Sequence, residues 1–571
     1  MDETNKDLTP TPQPPETDAA LPGKHSFLGV LTLTWERVAW LSLALAAILT
    51  RFWNLGARVM SHDESLHVYY SWLLSKGSGY THNPMMHGPF LFEATAFFDR
   101  IFGANDFTSR IVPALFGIAL VVGIPLLLRR WLGRWGAFAA SLLFLISPYV
   151  LFYSRYNRHD IEEVTWVLLA TFAIFSYLHE RENMDTAAPR PGRWLLLLAG
   201  AEALMLSSME TAFFYMAIFA SFLLIKMLVS HGLHWAAIRR SAEFDLLVVL
   251  ASLGAFFSSP IALLLLNPIW TRVTGQAFIP VSLFNTYGIE WSTGPYATRI
   301  WGLMLVFWVV GAVVGLWWNA RQWPKLAGLF LALTVAFFTT FLTNPAGIGT
   351  GFIGSLGYWL SQQAVQRGSQ PWYYYLIVFP MYEYLPLLGG LAAAIYLTLR
   401  RRAFSGTRKT FVLFLIWWAF WIFLGLSGAG EKMPWLSTHI TIPFILLTAW
   451  MVGDIIRRGW ETRSESDGET RLLSRPAAWA MLLPVFALFL LTARTSYLVN
   501  YVNYDFTTEF VGYAHGAPGI RWTVEDVEKI AKVTGAGNSM PVAYDSQVSW
   551  PMTWYFRDHP GFFGDQPNRG A

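Results

Sequence analysis

The sequence predicts an all-α polytopic membrane protein, and three observations predict it. Of 571 residues, 54% are hydrophobic and only 14% are charged, against about a quarter charged in an ordinary soluble chain. The charges sit in short stretches between long apolar runs, as in a chain whose solvent is lipid. Lysine and arginine also concentrate in every second interval between runs, as a multi-pass topology requires. The formal net charge of +4 is too small to suggest nucleic acid as a partner. There is no cysteine, which excludes disulfide frameworks and Cys-ligated metals.

Residues 1–35 form a Pro/Thr-rich tail with Asp2, Glu3, Asp7, Glu16 and Asp18. It lacks the basic start and small-residue cleavage site of a signal peptide, and reads as a disordered cytosolic extension. A span needs about 20 apolar residues at helical rise. Such runs occur near 38–55, 109–128, 135–153, 161–178, 194–209, 211–229, 244–266, 300–318, 326–343, 374–399, 410–428, 434–455 and 477–497. The expectation is therefore about 13 transmembrane helices within a membrane domain over 36–497. With the N-terminus inside, the inner intervals collect Arg129, Arg130, Arg134, Arg239, Arg240, Arg457 and Arg458, among others. The outer intervals hold fewer cations, so 498–571 falls outside. The first outer segment, 56–108, mixes apolar stretches with polar motifs and reads as juxtamembrane helices. In the tail, Thr523 can cap a helix with Glu525 and Asp526 in its first turn. Pro541 to Tyr544 then reads as one short strand. Together they look like the start of a small extracytoplasmic α/β domain, cut short at the C-terminus.

Three polar clusters stand out in a charge-poor chain. Ser61-His62-Asp63-Glu64-Ser65-Leu66-His67 follows the first run. Tyr153 to Glu163, containing Arg155, Arg158, Asp160 and Glu162, joins the third run to the fourth. Gly430-Glu431-Lys432-Met433-Pro434-Trp435 lies between the eleventh and twelfth. The topology puts all three at the outer face, where ionisable groups at membrane depth are functional candidates. Arg155, Arg158 and Lys432 can grip a phosphate, arginine as a bidentate fork and lysine as a point charge. Asp63 can take a proton from an incoming hydroxyl. On a helix, Asp63 and His67 share a face at i,i+4, so His67 can tune that carboxylate or share a metal with it. His87 sits where it can face the same site. Other motif matches fail. Gly349 to Gly354 fits a dinucleotide glycine pattern without a preceding strand, and Gly425 to Lys432 lacks the Ser/Thr of a phosphate loop.

Ser61 to Glu64, His87-Gly88-Pro89-Phe90, Arg155 to Asp160 and Glu431 to Trp435 in this order resemble the GT-C superfamily. These are membrane glycosyltransferases with a polyprenyl-phosphate sugar donor. The resemblance covers roughly residues 38–500 and is nearest the protein O-mannosyltransferase and aminoarabinose-transferase branch, in particular a prokaryotic family of flippase-activity-associated proteins. It implies a GT-C helix bundle and an inverting transfer at the outer face of a prokaryotic plasma membrane. Asp63 would then be general base, with Glu64 and Asp160 as the further catalytic acids. Arg155, Arg158 and Lys432 would hold the donor phosphate. His62, His67, His87, Glu162 and Glu431 are further site candidates. Some members of the superfamily bind a divalent metal and others need none; Glu64, His67 and His87 keep that open here. The partners implied are the lipid donor, membrane lipids and an acceptor that is glycan, lipid or protein. Two rival readings remain: a flippase or flippase accessory for lipid-linked sugars, and a non-catalytic scaffold of an envelope-glycan complex.

Overall fold

The computed structural model describes residues 34–184, 190–285, 292–363, 365, 368–400, 403–460 and 475–564. Of the expected disordered tail, residues 1–33 lie outside the described residues. By internal contacts the chain divides into Met1–Ser42 and Leu43–Ala571, and the site belongs wholly to the second unit. Helix Trp35–Phe52 runs across that division.

Helices dominate because a bilayer offers no hydrogen-bond partner for an open backbone, and a helix satisfies its own. Among the described residues seven helices are long and apolar enough to cross a membrane: Thr108–Leu132, Asp160–Glu182, Thr211–His231, Ala297–Asn319, Gly406–Gly428, Pro434–Trp460 and Pro476–Val502. Two bent pairs raise the number to as many as nine. The chain is thus a multi-pass membrane protein, but the expected thirteen exceeds what the helices give. The other apolar runs lie on shorter helices: Trp35–Phe52, Arg134–Ile146, Gly192–Leu206 and Trp323–Phe338.

Local chemistry explains the difference. The run 135–153 stops at Ser147, whose Oγ accepts from the Val150 N–H at 3.2 Å, and a new helix, Pro148–Tyr153, starts there. The run 326–343 ends at Phe338, and Thr340, Phe341 and Leu342 take positive φ of 48°, 53° and 70°. The run 374–399 breaks at Glu383 into Tyr374–Tyr382 and Tyr384–Leu399, bent by 103°. The Glu383 carboxylate is fully buried and accepts from Ser147 Oγ at 2.5 Å and the Tyr149 N–H at 3.1 Å. One interrupted helix therefore supplies the N-terminal cap of another. Ala242–Phe257 and Ser259–Thr274 meet at 85°, where Pro260 starts the second arm.

The first outer segment folds into helices His62–Ser75 and Phe90–Phe102, which pack on each other. In the tail the helix is Gly519–Val533, beginning before Thr523, whose hydroxyl bonds back to Gly519 O at 3.0 Å instead of capping. The expected single strand has a partner: β1 (Val542–Asp545) pairs in parallel with β2 (Gly561–Gly564) across the short helix Ser549–Tyr555. That helix rests on His62–Ser75. Its Trp554 Nε1 and Tyr555 hydroxyl donate to the two oxygens of Asp106 at 2.8 and 2.9 Å. The tail is thereby fastened beside the first polar cluster.

Candidate active site

Asp63 stands in the first turn of His62–Ser75 because Ser61 caps that helix, accepting from the Glu64 N–H. An acid here also faces the positive end of the helix dipole. Arg158 arrives from the turns between Pro148–Tyr153 and Asp160–Glu182. Asn157 pins those turns by donating to Thr95 Oγ1 at 3.0 Å and to Ser109 O at 2.5 Å. Arg158 Nη1 donates to Asp63 Oδ2 at 2.8 Å, and its Nε lies 3.4 Å from Asp160 Oδ2. Its guanidinium lies over the Trp435 ring, 3.4 Å from the centroid. Two of the three clusters thus meet through a salt bridge, and the third contributes the ring beneath it.

The loop holding His87 is placed by backbone bonds. Gly88 and Phe90 donate from their N–H groups to Ser208 O and Ser207 O, both at 3.0 Å. A Cβ at Gly88 would collide with the Ser207 carbonyl, so only glycine allows this approach. His87, at φ 66°, then presents Nε2 to Arg158 Nη2 at 3.2 Å and Nδ1 to Glu210 Oε2 at 2.6 Å. Behind Asp160 the network continues to His439 Nε2 at 3.1 Å, whose Nδ1 meets the Tyr215 hydroxyl at 2.8 Å.

These groups border a cavity of about 490 Å3 lined by His62, Asp63, His67, His87, Arg158 and Glu431, with Met433, Trp435, Tyr513 and Trp550 among its walls. Asp63 and Glu431 are the acids that line this cavity, and the Asp63 side chain is 30% exposed. Burial pushes its carboxyl up. The His62 hydrogen bond and the Arg158 guanidinium outweigh burial and hold it well below the ordinary carboxylate range. Asp63 is therefore ionised and able to accept a proton.

The adjacent Glu64 is different. It is fully buried, takes a two-pronged contact from Arg110 at 2.6 and 2.8 Å, and also meets Arg58 and the Asn157 N–H. Against the raising effect of burial, Arg110 and Arg58 hold it down to about 2. Its place is that of an anchor between segments, set back from the cavity. Asp160 is also fully buried and reaches the cavity only through Arg158. His67 lines the cavity, and burial followed by the nearby Arg158 lowers its imidazole to about 3, so it is neutral.

Other expected residues are not brought to Asp63. Arg155 lines a separate cavity and donates to the carbonyls of Thr50, Arg51, Trp53 and Asn54. Lys432 Nζ bonds to Ala429 O at 2.7 Å and does not line the Asp63 cavity, although its neighbours Glu431 and Met433 do. Glu162 is fully buried, and among the described residues neither carboxylate oxygen finds a hydrogen-bond partner. The metal set Glu64, His67 and His87 does not fit an ion. Glu64 is spent on two arginines, and among the described residues no three His, Asp or Glu side chains are placed to hold one. Sequence reasoning passed over Arg110, Tyr215, His439, Tyr513 and Trp550. Tyr513 and Trp550 carry no local signal, since the tail fold alone brings them here.

Residues 86–242 match the sequence profile of the dolichyl-phosphate-mannose-protein mannosyltransferase family. The polyprenol-phosphate-mannose–protein mannosyltransferase of Corynebacterium glutamicum is 27% identical over 170 residues, 26% of this chain and 33% of that one. The match thus spans about a third of that curated relative. The fold resembles the Archaeoglobus fulgidus oligosaccharyltransferase tethered with an acceptor peptide, with TM-score 0.54, 15% identity, and coverage of 94% of this chain and 64% of that one. It also resembles ArnT from Cupriavidus metallidurans bound to undecaprenyl phosphate, with TM-score 0.50, 15% identity, and coverage of 93% and 87%. The chain thus shares its fold with these solved structures, and its sequence likeness to the mannosyltransferase family lies in residues 86–242.

Proposed function

We propose that this protein is a membrane glycosyltransferase that moves a sugar from a polyprenyl-phosphate donor to an acceptor hydroxyl, with inversion, at the extracytoplasmic face. The observation that carries the reading is the ionised, partly exposed Asp63 carboxylate, aligned by Arg158 in a cavity large enough for a sugar and an acceptor end. The family match over 86–242, which contains His87 and Arg158, supports the donor class.

In this mechanism Asp63 takes the proton of the acceptor hydroxyl as its oxygen attacks the anomeric carbon. The bond between that carbon and the phosphate oxygen breaks, and its electron pair leaves with the lipid phosphate. Arg158 is the cation within reach of the developing charge, with Lys432 as a second one after a short movement of its loop. Asp160 and the His87–Glu210 pair fix the guanidinium, so that Arg158 stays oriented when Asp63 is protonated. Trp435, Tyr513 and Trp550 offer faces for the acceptor.

The test is turnover of polyprenyl-phosphate sugars by the reconstituted protein. Asp63→Asn and Arg158→Ala should each cost about 100-fold or more in rate. Turnover at the wild-type rate in both variants overturns the assignment. The flippase reading rests on the partnerless, buried carboxylate of Glu202 in helix Gly192–Leu206. It requires labelled lipid to cross leaflets with its glycosyl bond intact.

A further inference from the structure

The Arg155 cavity, about 570 Å3, lies at the same end of the helices as Asp63 but has its own lining. It opens between the end of helix Trp35–Phe52 and the segment after Arg475–Tyr497, where Trp53 and Tyr497 are 65% and 59% exposed. Its floor is cationic. Arg155, in the lining, and Arg51, next to Arg155 but outside the lining, are 8% and 0% exposed, and among the described residues neither has a carboxylate within ion-pair distance.

Both arginines meet carbonyls at helix ends, Arg155 those around Thr50 to Asn54, and Arg51 those of Phe144 and Leu145. Helix C-termini carry about half a negative charge each, so two guanidinium ions there leave positive charge uncompensated. Arg58 adds a third. It shares the single Glu64 carboxylate with Arg110, and among the described residues its Nε has no hydrogen-bond partner. Buried cations without counter-ions are costly, and an anion entering this cavity relieves that cost. The rim is aromatic, with Arg155 lying 4.8 Å from the Tyr501 ring centroid, and the walls include Leu49, Leu55 and Phe152. A polar head on cations beside apolar walls and interfacial aromatics is the environment of a lipid headgroup.

We propose that this cavity binds a lipid-borne phosphate, the chemistry shared by an anionic phospholipid and a polyprenyl phosphate, at a site separate from the Asp63 cavity. The inference stands apart from the transfer reaction, since neither Asp63 nor Arg158 lines this cavity.

The experiment measures retention of tail-labelled phosphatidylglycerol, phosphatidylcholine and undecaprenyl phosphate by the purified full chain, with inorganic phosphate as competitor. Wild type should retain at least one of the two anionic lipids about tenfold better than phosphatidylcholine. Which of them it is identifies the source. Arg155→Gln and Asn54→Asp should each reduce that retention about tenfold, while Arg193→Gln, at an exposed cation that does not line the cavity, leaves it unchanged. Asn54→Asp guards against misfolding, because Asn54 is exposed at φ 50°, a conformation aspartate tolerates, and the change only adds negative charge to the wall. Three results overturn the proposal: equal retention of neutral and anionic lipid, retention lost as much in Arg193→Gln as in Arg155→Gln, and displacement by inorganic phosphate at equal concentration.

Discussion

Asp63 and Glu64 are neighbours with the same chemistry and opposite situations. Asp63 spends its hydrogen bonds on one arginine and one exposed histidine, and keeps access to the cavity. Glu64 is enclosed by Arg110, Arg58 and a backbone N–H. Removing one partner from a buried ion pair costs about 3–5 kcal/mol, because the other charge is left uncompensated. Glu64→Gln should therefore lower the thermal midpoint of the purified protein by several degrees, while Asp63→Asn, which leaves Arg158 beside the Asp160 carboxylate, lowers it less and cuts turnover about 100-fold or more. A Glu64→Gln protein of wild-type stability contradicts the anchor role. Charge scarcity made the Ser61–His67 cluster visible in the sequence. The division of labour inside it was not visible, because it depends on Arg110, 46 residues away, and on a turn near Asn157. Arg155 misleads in the same way: its spacing beside Arg158 suggests one phosphate grip, yet the turn between them sends the two side chains into different cavities.

At the scale of elements, the site is assembled by interruptions of helices. Ser147, Glu383 and the Ser207–Ser208 turn each end an apolar run and hand polar groups to a neighbour. Gly88 forms a tight joint of this kind. In Gly88→Ala the new methyl would overlap the Ser207 carbonyl, and the loop must move away, carrying His87 off Arg158 and Glu210. Overpacking of this kind costs about 1–3 kcal/mol. The rate should fall more than tenfold while the protein still folds, since a 1 Å misplacement at a site costs about 100-fold. Measured turnover and thermal midpoint both equal to wild type would show that the loop does not position the site. Apolar runs were legible because hydropathy reports composition. Their internal breaks were not, since a buried Glu383 that caps another helix reads in sequence as one stray charge within a 26-residue run. β2 was missed for a related reason: four residues, Gly561 to Gly564, gain strand geometry only by pairing with β1.

For the whole molecule, burial around the site holds three imidazoles neutral. Burial lowers His67 and His82 to about 3, and holds His159 well below its ordinary value. In the unfolded chain each would titrate near 6.5. Above that pH the histidines are neutral in both states and contribute no pH dependence. As pH falls below it, the unfolded chain gains protons that the folded one refuses, so this part of the stability is lost toward pH 3. Two acids of the neighbouring helix act in the opposite sense. Burial raises Glu93 to about 9 and Asp99 to about 7, so folding gains from protonation as pH falls toward their unfolded values near 4. The two sets act against each other between pH 7 and 5, so neither slope shows alone in the intact protein. One substitution uncovers the hidden slope. His82 ties the loop before Gly88 to a distant helix, its Nδ1 within 2.9 Å of Thr350 Oγ1 and its Nε2 within 3.1 Å of His87 O. His82→Gln loses those bonds at every pH but no longer pays the imidazole's penalty in acid. Over 1.5 pH units that penalty is about 2 kcal/mol. The gap in thermal midpoint between wild type and His82→Gln should therefore be widest at pH 7.5 and narrow markedly by pH 5. A gap that stays constant or widens in acid means that His82 is protonated in the folded protein.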